Sequence, residues 1–142
     1  MGENNKEIIR RVVNEVWAEH NLAIVDELVA SDYVGHDSTQ PKPIRGRDGF
    51  KQFVGMYQAA FDDALVTIDD QIAEGDQVVT RWTGRGTHTG ELMGIAPTGK
   101  EVTVSGITIS RLAGGKIAEE WELMDALGML VQLGAVPQPA TA

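Results

Sequence analysis

The apolar positions of this chain change their period once, near residue 64. Before that point they recur every three to four residues. Ile8, Ile9, Val12, Val13, Val16 and Trp17 share one face of a helix predicted over 3–20. Leu22, Ile24, Val25, Leu28 and Val29 predict a shorter helix ending near Ser31, and the extended piece Tyr33-Val34-Gly35-His36-Asp37 follows. Two prolines and a glycine mark 38–46 as a loop. Phe50, Phe53, Val54, Tyr57 and Phe61 then predict a third helix over 48–61.

Beyond residue 64 the period is two. Strands are predicted from Leu65, over 78–87, over 102–112 and over 117–125, with hairpin turns at Gly75-Asp76 and Gly114-Gly115. The glycine-rich segment HTGELMGIAPTG (88–99) connects two of them and is placed to lid a pocket. A short helix over 127–133 closes the pattern. Helices first and an antiparallel meander after them predict an α+β fold, a curved antiparallel sheet with helices on one face and a concavity between. Such a concavity is the natural place for a ligand. A single domain is expected over 1–136, with the tail PQPATA (137–142) disordered.

Composition narrows the function classes. The net charge is −9 and no basic stripe offsets it, which counts against nucleic acid and against anionic membrane surfaces. There is no cysteine, hence no thiolate nucleophile and no Cys-based metal site, in keeping with a cytoplasmic protein. The amino-terminal residues carry no signal-peptide pattern, and no stretch of about 18 apolar residues occurs. His20, His36 and His88 are far apart and lack the spacing of a ligand pair, so no metal site is expected.

Asp125 carries two competing readings. If it faces the concavity among Trp121, Leu123 and Met124, desolvation raises its pKa and suits it to proton transfer. If it instead caps the following helix, it is structural and worth about 0.5–2 kcal/mol. His36 is a second proton carrier at the pocket mouth or a turn histidine bonded to Asp37. His88 reaches a ligand or ties down the glycine-rich loop. Trp17, Phe53, Tyr57, Trp82 and Trp121 form an aromatic pocket wall or ordinary core. Trp121 shares strand parity with Asp125 and is expected beside the ligand.

The stretches DYVGHD (32–37), RGTHTGELMGIAPTGK (85–100), SGITISRLAGGKIAEEW (105–121) and MDALGMLVQLG (124–134) carry a resemblance. In order and spacing the chain resembles the SnoaL-like polyketide cyclase (ester cyclase) family, of the cystatin-like, nuclear transport factor two-like α+β cones. The resemblance spans about 8–134. It implies an internal pocket and an intramolecular aldol ring closure on a small hydrophobic carbonyl or ester substrate. It further implies that no metal or cofactor takes part, and that an aspartate ending the last long strand, matched here by Asp125, is the acid/base. The family's polar partners are changed: Gly106 and Thr108 stand in place of a glutamine and a histidine, and Gly35 in place of an asparagine. Thr108 is therefore expected to touch the ligand.

Three further readings compete. A ketosteroid-isomerase-like enzyme would use Asp37 as base, but Thr108 replaces its second acid. An epoxide-hydrolase constellation has Arg81 and Asp125 but Thr83 in place of the second aspartate. A non-catalytic binder or scaffold fits the departures at Gly35, Gly106 and Thr108. The β-branched residues Val79, Thr103, Ile107 and Ile109 on the outer sheet face predict a homodimer or a dimer of dimers.

Overall fold

The computed structural model describes residues 2–137. Helix α1 (Gly2–Arg11) runs on as a π-helical stretch, Val12–Ala18, in which Glu19 N–H reaches Asn14 C=O. Ile9, Val12 and Val16 are its buried face, as the helical spacing requires. A 3₁₀ turn (Leu22–Ile24) and the single-turn α2 (Val25–Leu28) come next. The chain then becomes extended earlier than predicted, because Val29 opens strand β1 (Val29–Asp37). A short β2 (Ile44–Arg45) leads into α3 (Gly46–Ala60).

The meander consists of β3 (Leu65–Glu74), β4 (Gln77–Thr87), β5 (Glu101–Ala113) and β6 (Lys116–Met124), followed by α4 (Ala126–Gln132). Gly114 and Gly115 both adopt positive φ, 58° and 78°, the geometry of a two-residue turn that follows strand twist. The sheet has six strands in the order β2-β1-β6-β5-β4-β3. The predicted extended piece is thus a full strand. It pairs parallel to β6, with His36 opposite Trp121 and Asp37 opposite Glu122. The other pairings are antiparallel.

Two packed clusters hold the sheet to its cover. One centres on Val16, Val25, Val29, Val54, Val78 and Ile117, where the amino-terminal helices meet the sheet. The other gathers Ala60, Phe61, Leu92, Val102, Met129 and Leu133 at the opposite end. Residues of both clusters bound a cavity of about 170 Å³ between helices and sheet. Of the predicted tail, 138–142 lie outside the described residues.

Candidate active site

Strand parity decides what the cavity sees. On β5, Val102, Val104, Thr108 and Ser110 point inward, and on β6, Glu120, Glu122 and Met124 do. Trp121 and Leu123, 37% and 69% exposed, point to the outer face. Asp125 continues the outward parity. Its Oδ1 accepts a hydrogen bond from Gly128 N–H at 2.9 Å, making it the N-cap of α4. Asp125 is exposed and is not in the cavity wall, so the acid/base placement expected for it is corrected to a helix cap. The placement of Trp121 beside the ligand is corrected for the same reason.

Three carboxyl groups turn into the cavity instead: Asp37, Glu120 and Glu122. Asp37 is only 8% exposed. Its Oδ1 accepts from both the backbone N–H and the hydroxyl of Thr39. Its Oδ2 is buried without a partner donor. Glu122 lies opposite Asp37 in the strand register, and both carboxyls face the same cavity. Burial pushes the Glu122 carboxyl well above the usual carboxylate range. The neighbouring Asp37 carboxyl and the charge of Glu120 push the same way, while the Thr108 hydroxyl, donating to Oε1 at 3.2 Å, pulls it back. A buried carboxyl beside a second one is disfavoured as an anion, and Glu122 is the member pushed toward its protonated form.

Glu120 is also raised by burial. It is held by the Ser110 hydroxyl at 2.5 Å and the Tyr33 hydroxyl at 3.0 Å. Tyr57 stands above the pair, its hydroxyl pushed up to about 12 by burial. Arg85 is the one cationic side chain of the wall among the described residues, and it is exposed at the β4 end.

The other expected residues divide. Trp17, Phe53, Tyr57, Trp82 and Thr108 line the cavity. Phe53 packs edge-on to Trp17 and Tyr57 at 6.4 and 5.3 Å between ring centres. Trp82 donates its indole N–H to Thr108 Oγ1 at 3.0 Å. His36 sits at the rim, where its ring stacks on Trp121 at 5.6 Å and its Nε2 lies 2.8 Å from Glu119 Oε2. His88 is fully buried outside the cavity. Its Nδ1 meets Thr98 N–H at 3.1 Å, so it ties the glycine-rich loop down rather than touching a ligand. Residues 88–99 contribute nothing to the cavity wall, and the predicted lid is corrected to an anchored connection. Arg81 points to the outer face, near Asp69 at 3.8 Å, so no Asp-Arg-Asp group assembles inside. No group of three or more metal-ligating His, Asp or Glu side chains occurs among the described residues.

Glu120 and Glu122 were missed because acidic residues on a strand read as solvent-facing. The available signal was their i, i+2 spacing, which puts both on the face opposite Trp121 and Leu123.

Comparison with known proteins identifies the family of the chain. The chain is 30% identical over 111 residues to the nogalonic acid methyl ester cyclase of Streptomyces nogalater, covering 78% of this chain and 83% of that one. It is 27% identical over 130 residues to the aklanonic acid methyl ester cyclase of Streptomyces peucetius, covering 90% and 89%. Among solved structures, IdmH of Streptomyces antibioticus superposes with a TM-score of 0.79 at 34% identity, over 92% of this chain and 98% of that one. TsrD of Streptomyces laurentii superposes with a TM-score of 0.84 at 27% identity, over 94% and 97%. The pattern of the SnoaL-like polyketide cyclases matches residues 7–133, nearly the whole of the cone that encloses the carboxyl pair, and the chain belongs to that family.

Proposed function

We propose that this protein closes a ring in a small, neutral polyketide-derived ester by an intramolecular aldol reaction, with Asp37 and Glu122 as the proton-transfer pair. The observation that carries the reading is the unpartnered, buried Asp37 Oδ2 facing a raised Glu122 carboxyl in an aromatic-walled cavity. Asp37 takes a proton from the carbon between two carbonyl groups. The enolate carbon attacks a ketone carbon of the same molecule, forming the C–C bond. Glu122 gives its proton to the ketone oxygen, and the proton on Asp37 passes to Glu122 to reset the pair. Nothing is oxidised or reduced, so the reaction needs no cofactor. Three inward carboxyls oppose a free acid and favour an ester. Trp17, Phe53, Tyr57 and Trp82 supply the apolar contacts. Family membership favours this over the binder, scaffold and isomerase readings.

The test is turnover of nogalonic acid methyl ester and aklanonic acid methyl ester, followed by chromatography of the cyclised product. Asp37→Asn and Glu122→Gln are each expected to lose about 10²–10⁴ in rate. Both variants staying within threefold of wild type would remove the assignment.

The outer sheet face supports self-association. Ile72, Val79, Ile109 and Trp121 form one cross-strand row, with Ile107 and Leu123 in the next. We place a second copy of the chain on this face, as a homodimer or a dimer of dimers. No helix of the described residues is long and apolar enough to cross a membrane. The acidic, cysteine-free chain supports work in the cytoplasm on a free small molecule.

A further inference from the structure

Two glycines of the sheet, Gly35 and Gly106, each seat an aromatic ring. A Cβ at Gly106 would overlap Trp82 Cζ2 and fall within 2.7 Å of its Cε2. A Cβ at Gly35 would fall within 2.6 Å of the Tyr33 hydroxyl. Both seated rings end in a donor aimed at the inward glutamates of β6. Tyr33 reaches Glu120 directly, and Trp82 reaches Glu122 through Thr108.

We infer that Trp82 is a positioning residue for the reaction, acting through the Thr108 hydroxyl to orient Glu122, and that Gly106 makes this possible by leaving room for the indole. The inference rests on the Asp37–Glu122 reading of the site.

The strand register builds the relay. Trp82 lies opposite Gly106, Thr80 opposite Thr108, and Thr108 opposite Glu122. An indole N–H only donates, and a threonine hydroxyl has a single proton. With Trp82 filling a lone pair on Thr108 Oγ1, the hydroxyl proton is turned toward Glu122 Oε1. The order of donation is therefore Trp82 to Thr108 to Glu122. Oε1 is thereby committed as an acceptor, and Oε2 is left to carry the proton that Glu122 gives up in the reaction. Chains of this kind polarise each link, so the indole strengthens the bond that holds Glu122 down toward a working range.

The charges around Glu122 come from several elements. Asp37 and Tyr33 face it from β1, Tyr57 from α3 and Glu120 from its own strand. His36 at the rim is engaged by Glu119, and Arg85 stands at the far end of β4. None of these donates to Oε1; Thr108 does.

The test uses Trp82→Phe, which keeps most of the ring and deletes the N–H, beside Thr108→Val, Thr108→Ser and Gly106→Ala. Two readings are taken: the titration of the Glu122 carboxyl by carbon-detected NMR, and the pH profile of kcat on the methyl esters. Thermal melting confirms that each variant is folded. Trp82→Phe is expected to shift the Glu122 titration upward, as Thr108→Val does, and to lower kcat by about tenfold, the worth of one hydrogen bond. Thr108→Ser should restore both readings. Gly106→Ala should reproduce the Trp82→Phe shift although it touches neither Thr108 nor Glu122. An unmoved Glu122 titration and kcat profile in Trp82→Phe, with only KM changed, would make Trp82 a plain wall and overturn the relay. The NMR reading does not depend on turnover. If Glu122→Gln keeps full activity while Trp82→Phe still shifts the titration, the catalytic assignment fails and the relay stands.

Discussion

Asp125 and Gly128 should be energetically coupled, and the coupling tests where the last strand ends and the cap begins. Asp125→Ala removes the 2.9 Å bond to Gly128 N–H. Loss of an N-cap carboxylate costs about 1 kcal/mol, within a range of about 0.5–2. Gly128→Ala in a helix ordinarily gains about 0.5–1 kcal/mol. Here the new Cβ would overlap Asp125 Oδ2 and fall within 2.7 Å of its Cγ, so the carboxylate must swing out and the cap bond goes with it. The gain and the loss offset, and Gly128→Ala alone should be near neutral. In the Asp125→Ala background the three atoms nearest the methyl are gone, and the same change should stabilise by about 0.5–1 kcal/mol. The double-mutant cycle then carries a coupling of about 1 kcal/mol. Urea unfolding measures it directly, and melting should register about 2–4 °C per kcal/mol for a chain near this size. Additivity within about 0.3–0.5 kcal/mol, the behaviour of independent sites, would refute the cap geometry. The same variants report on function. Asp125→Ala should turn over the methyl esters within threefold of wild type, and a loss of about 10² or more, the size expected of an acid/base, would return Asp125 to the active site.

Stability should also depend on pH through Glu122. Its folded-state affinity for a proton is raised above the ordinary glutamate value of 4.5, so this contribution is whole below that pH and is lost as pH rises through the folded value. Glu122→Gln carries no charge at any pH and should be more stable than wild type at pH 8, by about 0.5–2 kcal/mol. The advantage should fade toward pH 4, and parallel stability curves in urea would count against a desolvated carboxyl. On the outer face, Leu123→Glu places a charge at a residue 69% exposed in the apolar rows. Sedimentation equilibrium should show assembled wild type and a 15.4 kDa variant; a wild type that sediments only at 15.4 kDa would dismiss the interface.

Much of the architecture was legible before any coordinates. The change of period near residue 64 separates the helical cover from the sheet, because helices and strands bury a face at different spacings. The turn glycines and the short last helix also fell where local chemistry puts them. The parallel partnership of β1 with β6 was not legible. A strand carries no local signature of a partner about 85 residues away in the chain; that choice is made by long-range packing.

The site divides along a similar line. The cavity aromatics were readable as members of helix and strand faces. The acid was not, and the reason is specific to β6. Its outer face carries Trp121 and Leu123, and its inner face carries Glu120 and Glu122. The usual rule of apolar inside and polar outside is thus inverted where a cavity lies within the fold and an apolar patch lies outside it. Alone, the sequence determined the layers, the strands and the acidic, cysteine-free chemistry available to them, because those depend on neighbours a few residues away. Only the tertiary structure decided which carboxyls meet, because Asp37 and Glu122 are brought together by a strand pairing that spans most of the chain, and a one-residue change of parity would have turned every one of those acids to solvent.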